Sequence, residues 1–369
     1  MSEEELSIPT VDLAELFDPA RETRQRAAGA ILEGFGTYGL VYLANHGVDF
    51  ELRDRVMERF AAFCALPDAK KQPLNRGDLW YQRGWTPPNT EKAVVAGGQP
   101  DFKECYFAAP IATDPECAIE YPQIYAENVW PEGDGAFRDE YMTLGYQIHE
   151  AGMSLLQGVA MALGLPSRMF DRKLDGAPHV FRLLKYLPLT QEQIASGVLW
   201  GEEHTDFNLL TVLPGGHFLD PDGKKCGPPD AASGLFLRTR PTKEHPQGVK
   251  VQGKAPPGCI VAQVGQELEI LTGGTMLATP HVITAPSTPG YSRLSAAHFL
   301  HLHSHEIVFP LDKFKSQETL RAYSPPVLAG TYSIKTLVDI GLAPAAALDR
   351  LGYRHYDRLA AIRREEESV

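Results

Sequence analysis

A histidine and an aspartate stand two residues apart, at His204 and Asp206, in the run GEEHTDFNLLTVL, where apolar residues begin to dominate. If this run is one strand, alternation puts His204 and Asp206 on one face and Thr205 and Phe207 on the other. An imidazole nitrogen and a carboxylate oxygen on one face are two legs of a chelate. They equally suit a buried ion pair, so a third ligand decides. The candidate is His281, in LTGGTMLATPHVITAP, after a β-like run and a Gly-Gly turn. Two histidines and one carboxylate, with the remaining positions open, is the facial triad of non-haem Fe(II) sites.

Shortly beyond His281 comes YSRLS, where Arg293 and Ser295 alternate onto one strand face. A guanidinium offers a bidentate charge-assisted pair to a carboxylate, and a hydroxyl adds one directional hydrogen bond. A 2-oxo acid chelating a metal at one end would present its distal carboxylate to such a pair. The following run, HFLHLHSH, sets His301, His303 and His305 on one face if the strand continues. Such a row can bind zinc, but a histidine-lined edge or exposed strand face is the preferred reading. His298 would lie on the opposite face to Phe299.

These groups need elements to hold them. IPTVDL, from Ile8 to Leu13, reads as a short strand. The spacing predicts a helix over 21–36 with Ala28, Ile31 and Leu32 on its apolar face, then a strand in GLVYLANHG. Asp49 is placed to cap a helix running to about Ala65. Residues 74–137 are rich in Pro, Gly and aromatics and read as loops with short elements. The clearest helix runs from Asp139 to Leu163, ended by Gly164 and Pro166. From His179 to Pro310 the texture turns to β: VFRLLKYLP, NLLTVL, GLFLRT, GCIVAQVG, LEILTGG and RLSAAHFLHLH, broken by Gly and Pro. Residues 219–258 carry long polar stretches between these runs. The expected organisation is α+β: a mainly helical region 1–178, a sandwich or jelly-roll core 179–310 and a helical tail 311–369, packed as one catalytic unit.

With 369 residues and 43% hydrophobic content, the chain can bury a sizeable core. Its formal net charge of −12 opposes a phosphate backbone, so nucleic acid is not expected as a partner. The acidic opening MSEEELSIPT does not read as a signal peptide, and no stretch approaches the roughly 20 apolar residues that span a bilayer. Five scattered cysteines without CxxC spacing fit neither a disulfide framework nor a structural zinc motif. A reduced, cytoplasmic chain is expected; oligomeric state is not legible.

The ordered set His-x-Asp, distant His, Arg-x-Ser resembles the isopenicillin N synthase-like family of Fe(II)/2-oxoglutarate-dependent dioxygenases. IPTVDL, GFGTYGLVYLANHGV, RGWTPPNTEKAVVAGGQPDFKECY, GLFLRT, PPGCIVAQVGQELEILTGG and RLSAAHF are similar to its segments in order, from about residue 7 to 310. The resemblance implies a double-stranded β-helix (jelly-roll) core flanked by helices. It implies Fe(II) on His204, Asp206 and His281, with O2 and 2-oxoglutarate as co-substrates. Arg293 and Ser295 would clamp the 5-carboxylate, and Tyr186, in KYLP, would contact the co-substrate. Phe299 matches a position facing substrate, or is a plain core aromatic. Succinate and CO2 would be released as a small organic metabolite is oxidised, by default hydroxylated.

Arg83, Glu91, Lys103 and Glu104 fall in the region covering the mouth of the site in that family, and most are expected to be solvated surface charges. Three departures stand out. The His204-to-His281 stretch is long, Gln266 follows Gly265 where the family often has Asp, and Leu187 replaces a family tyrosine. A 2-oxoglutarate-independent oxidase whose Arg-x-Ser pair binds a substrate carboxylate, and a non-catalytic metal-binding jelly roll, remain the alternatives.

Overall fold

The computed structural model describes residues 7–90, 102–239 and 245–350. Its strands as far as residue 300, in chain order, are β1 Thr10–Asp12, β2 Leu40–Ala44, β3 Gly84–Thr86, β4 Lys103–Ala108, β5 Val180–Tyr186, β6 Gly201–His204, β7 Leu210–Leu213, β8 Gly216–Leu219, β9 Lys225–Cys226, β10 Gly234–Arg238, β11 Lys250–Gln252, β12 Ile260–Val264, β13 His281–Thr284 and β14 Ser292–Leu300. The larger sheet runs β1-β2-β12-β7-β14-β5-β4-β3, with β8 pairing β14 and β9 pairing β8. The smaller runs β11-β10-β13-β6. Apart from the parallel β1–β2 pair, these pairings are antiparallel, as in a jelly roll. The larger sheet draws strands from both sides of residue 179.

Period-two alternation assigns the two faces of the larger sheet. Val41, Leu43, Phe181, Leu183, Leu294 and Ala296 join one apolar cluster with the helices. Leu40, Tyr42, Leu184, Tyr186, Val261 and Ala297 join a second, which also holds Trp200, Leu235, Leu237 and Ile283 on or beside the smaller sheet. The cleft between the sheets is bounded by this second face.

The long helix Gly135–Ala162 packs against helices Arg21–Glu33 and Phe50–Cys64 and against β7 and β14. Its buried Tyr141, Leu144, Ile148, Leu155 and Val159 repeat at three, four and seven, the expected stripe. Asp49 caps Phe50–Cys64 by accepting from the backbone N–H groups of Glu51 and Leu52, at 2.8 and 3.1 Å, a contribution of about 1 kcal/mol. The first helix ends at Glu33 and gives way to a wider turn over Gly34–Tyr38. There a Cβ on Gly34 would lie 2.3 Å from Val41 Cγ1, so the chain widens where it crosses β2. Ile31 is buried as expected, but Leu32 is 39% exposed and Ala27 takes the inward position. LEILTGG, expected as a strand, is a helix over Gln266–Leu271. Its buried residues are Glu267, Leu268 and Leu271, a helical spacing that a short apolar run hides. No helix of the described residues is long and apolar enough to cross a membrane.

Candidate active site

His204 closes β6, His281 opens β13, and the two are register partners across that antiparallel pair. Their ring centroids lie 4.4 Å apart. Asp206 arrives differently from the expectation. GEEHTDFNLLTVL is not one strand: β6 ends at His204, β7 begins at Leu210, and Asp206 lies in the connection. Alternation along a strand therefore does not set it beside His204. The helix Gln266–Leu271 does. The backbone N–H of Gln266 donates to Asp206 O at 2.8 Å, that of Glu267 to Asn208 O at 3.2 Å, and that of Gly265 to Leu209 O at 3.1 Å. The Gln266 amide also donates to Thr205 Oγ1 at 2.6 Å. A Cβ on Gly265 would lie 1.9 Å from Asn208 O, so only glycine lets this corner approach.

The ligand atoms of His204, Asp206 and His281 lie within 4.8 Å of one another. Asp206 Oδ1 is 3.7 Å from His204 Nε2 and 3.8 Å from His281 Nε2. Those separations exceed hydrogen-bond range, so three donors face a gap rather than one another. The outer atoms are occupied. The Thr211 hydroxyl donates to Asp206 Oδ2 at 2.6 Å. His204 Nδ1 lies 2.7 Å from Glu202 O, which accepts its proton and leaves the Nε2 lone pair inward. The Gln263 side-chain amide lies 2.7 Å from His281 Nδ1 and holds that ring in place. Burial drives the His281 pKa down to about 4, with His204 adding to the fall and Asp206 opposing it, so the ring is neutral at pH 7. Two imidazoles and one carboxylate, braced from behind, fit a divalent iron-type ion.

The triad opens on a cavity of 460 Å3 between the sheets, whose wall also carries Tyr186, Arg293, Ser295 and Phe299. Arg293 on β14 is the register partner of Tyr186 on β5 and Phe218 on β8. Its guanidinium carbon sits 5.6 and 6.0 Å from those two ring centroids. Burial lowers its pKa, yet a guanidinium keeps its proton at neutral pH. Among the described residues no carboxylate pairs with it. A buried cation with no carboxylate partner among the described residues, two positions from a buried hydroxyl at Ser295, has the chemistry to receive an anion. Tyr186 lies against this end of the cavity and stacks on Trp200, centroids 5.5 Å apart. Leu187 lines neither cavity, so the side chain at this position makes no contact with the pocket.

A second cavity of 190 Å3 meets the first at His204 and Asp206 and is walled by Phe107, Phe299, His301 and Leu337. Lys103 and Arg182 line both cavities. His301 is thus a site residue that the histidine row concealed. The expected row fails because β14 ends at Leu300. His301 turns inward, 5.3 Å from the Phe207 ring, while His303 and His305 turn to Cys117. His298, on the opposite face of β14, is fully buried against His149, 3.1 Å away, on the helix side of the sheet.

The loop charges also depart from expectation. Arg83 is fully buried, giving its guanidinium to the carbonyls of Gln82, Ile124 and Ala126. Glu104 is buried in a pair with Lys71 at 3.1 Å and accepts from Trp85 Nε1 at 3.0 Å. Neither is a solvated surface charge, because sequence gives no count of the carbonyls a folded loop turns inward. Glu91 lies outside the described residues. Thr211 and Arg182 were missed, although each is a polar interruption in an apolar strand, which is the signal that could have found them.

Known proteins resemble this chain over most of its length. The model of the non-haem dioxygenase N-terminal region, named for morphine synthesis, matches residues 8–133. The 2-oxoglutarate-dependent dioxygenase phqC of Penicillium fellutanum is 26% identical over 349 residues, 86% of this chain and 91% of the relative. Leucoanthocyanidin dioxygenase of Malus domestica is 25% identical over 279 residues, 74% and 68% of the two chains. Among solved structures, a 2OG-Fe(II) oxygenase family protein from Caulobacter crescentus superposes with a TM-score of 0.71 at 25% identity, covering 90% of this chain and 99% of that one. A full-length Neurospora crassa protein solved in complex with alpha-KG shares the fold, with a TM-score of 0.72 at 23% identity, covering 92% and 98%. Over most of its length the chain is similar to Fe(II)/2-oxoglutarate-dependent dioxygenases, consistent with the isopenicillin N synthase-like family.

Proposed function

We propose that the protein oxidises a small organic metabolite, by default through hydroxylation, in an Fe(II)- and 2-oxoglutarate-dependent reaction that releases succinate and CO2. The observation that carries this reading is the pairing of two features in one cavity. Two imidazoles and a carboxylate converge on a gap, and a guanidinium with no carboxylate partner among the described residues lies in the same space. His204, Asp206 and His281 would hold Fe(II), and Arg293 with Ser295 would receive the 5-carboxylate of 2-oxoglutarate. Fe(II), when bound, supplies the O2 chemistry that couples decarboxylation of 2-oxoglutarate to oxidation of the substrate.

The chain's own residues position and shield. Thr211 fixes which oxygen Asp206 presents, and the carbonyl of Glu202 fixes the tautomer of His204. Arg293 sets the reach of the co-substrate from the triad, and Tyr186 closes the space beside it. Phe299, Phe107 and Leu337 give the second cavity an apolar wall that excludes water near the triad. Lys103 and Arg182, on the boundary of the two cavities, suit a substrate with an apolar body and an acceptor group. The cavity sizes and the metabolites named in relatives such as leucoanthocyanidin dioxygenase support a small molecule. A reducing, cytoplasmic setting belongs to the same reading, supported by five free cysteines.

The test is succinate formation from 2-oxoglutarate by anaerobically prepared, Fe(II)-loaded protein after oxygen is admitted. Wild type is run beside His204→Ala and Arg293→Ala, with and without candidate metabolites. Wild type should release succinate slowly alone and faster with substrate. His204→Ala should release none, and Arg293→Ala should need at least about tenfold more 2-oxoglutarate. Iron bound without any succinate would support the oxidase reading instead. A chain that holds no iron would refute the assignment of the triad.

A further inference from the structure

We propose that Cys117, His303 and His305, with Asp114 facing the same gap, form a second metal site that takes a zinc-class divalent cation. It draws on the chain just after β14 and uses none of the triad's residues.

The distances suit one ion. Cys117 Sγ is 3.5 Å from His303 Nε2 and 3.9 Å from His305 Nδ1, and Asp114 Oδ2 is 3.7 Å from the sulfur and 3.1 Å from His303 Nε2. Tetrahedral zinc, with Zn–S of about 2.3 Å and Zn–N or Zn–O of about 2.0 Å, holds sulfur about 3.5 Å from nitrogen and nitrogen about 3.3 Å from oxygen. The donor atoms of the cysteine and the two histidines lie within 4.8 Å of one another. A small inward movement of His305 completes the set.

The surroundings resemble a built site. Glu120 Oε2 lies 3.0 Å from His305 Nε2. A proton held there for Glu120 leaves Nδ1 to the metal, the carboxylate–histidine arrangement that orients metal ligands. His303 is fixed through its backbone N–H, which donates to Lys173 O at 2.8 Å. Asp114 is fixed by its own N–H to Gly176 O at 2.9 Å and by accepting from Glu116 N–H at 2.8 Å. Ligation through His303 Nε2 moves that ring's proton to Nδ1 and gives up a contact from His305 N–H, which is long at 3.3 Å. The cysteine is buried while His305 is half exposed, so an ion can enter from that side. The thiol proton leaves to solvent as the metal binds.

The ligands come from two distant segments, the turn and short helix around Cys117–Glu120 and the chain just after β14. Tyr121, next to that helix, packs where a Cβ on Gly330 would meet it at 2.5 Å, at the start of helix Ala329–Asp339. That helix carries Leu337 into the second cavity. An ion at Cys117 would therefore brace the wall of the substrate side.

The probe is Co(II) added to chelator-stripped, full-length protein, because a thiolate ligand gives cobalt a near-ultraviolet charge-transfer band and a triad of N and O donors gives none. His204→Ala, with the triad broken, should develop the band by one equivalent and wild type by two, and both should lose it when Zn(II) is added in excess. Cys117→Ser should lack it, and His305→Ala should weaken cobalt binding about tenfold or more. No band in folded wild type, or a band that survives Cys117→Ser, would overturn the proposal and leave the cluster a hydrogen-bonded network. Should Cys117→Ser fail to fold, unchanged cobalt affinity in His305→Ala would overturn it equally.

Discussion

Thr211 has a task that its place in an apolar strand only hints at. Its hydroxyl is 2.6 Å from Asp206 Oδ2 and 3.2 Å from Asn208 Oδ1. Thr211→Val keeps the shape and deletes the donor to Asp206. Fe(II) affinity should fall about 10- to 100-fold, as when the outer partner of a ligand is lost, while the unfolding midpoint of metal-free protein moves by only a few degrees. Iron titration and thermal melts would separate the two effects. Glu267 carries a different burden. It is fully buried, accepts from Leu302 N–H at 3.1 Å, has an Oε1 without a partner, and burial pushes its pKa up to about 8. A raised carboxyl stabilises the fold fully below about pH 4.5, and that contribution is lost as pH rises through about 8. Glu267→Gln should therefore lose less stability than wild type between pH 5 and 8 in urea unfolding. Parallel curves would refute the buried acid.

The corner between β12 and the helix Gln266–Leu271 decides where Asp206 sits. Three successive backbone donors from Gly265, Gln266 and Glu267 hold the connection that carries the carboxylate. Gly265→Ala would set a methyl 1.9 Å from Asn208 O. Backbone cannot give as a flexible side chain would, so a loss of at least about 2 kcal/mol is expected. Iron binding should weaken with it, read as a lower melting temperature and a weaker Fe(II) titration in the same preparation. Gly216 repeats the theme on the clamp side, where a Cβ would lie 2.0 Å from Leu294 O across the β8–β14 pair that carries Arg293 and Ser295. LEILTGG could not be read correctly from its residues, because four apolar or amphipathic residues fit a buried strand or a single helical turn equally well. The capped helix after Asp49 was legible because its cap, length and stripe agree.

At the scale of the whole molecule, the helix side of the larger sheet buries His149, His179 and His298 together. Burial lowers the pKa of all three, that of His149 to about 4. They are neutral in the fold, whereas the unfolded chain takes up their protons below about pH 6.5. The stability they share is present above that pH and is lost as pH falls below it, the His149 share through about 4. His149 alone accounts for up to roughly 3 kcal/mol of this loss. His149→Gln should flatten the fall in urea stability between pH 6.5 and 5, and an unchanged slope would refute the account. With Glu267 acting at the other end, stability should decline on both sides of a mid-range optimum.

The candidate site residues were legible because their types are scarce and their order is particular. His204, Asp206, His281, Arg293 and Ser295 were named from spacing, and the alternation of β14 sets Arg293, Ser295 and Phe299 on one face, as expected. Period-two patterning also gave the sandwich its two faces. The sequence by itself could not say how Asp206 reaches the two histidines, since hydrogen bonds from a helix much further along the chain hold it, not the strand it was assigned to. Nor could it bring Cys117 to His303 and His305, or turn Arg83 inward onto three carbonyls. Local pattern reports which face a residue prefers. Which groups meet depends on long-range pairing and on where single glycines let backbones touch, and only the tertiary structure decides that.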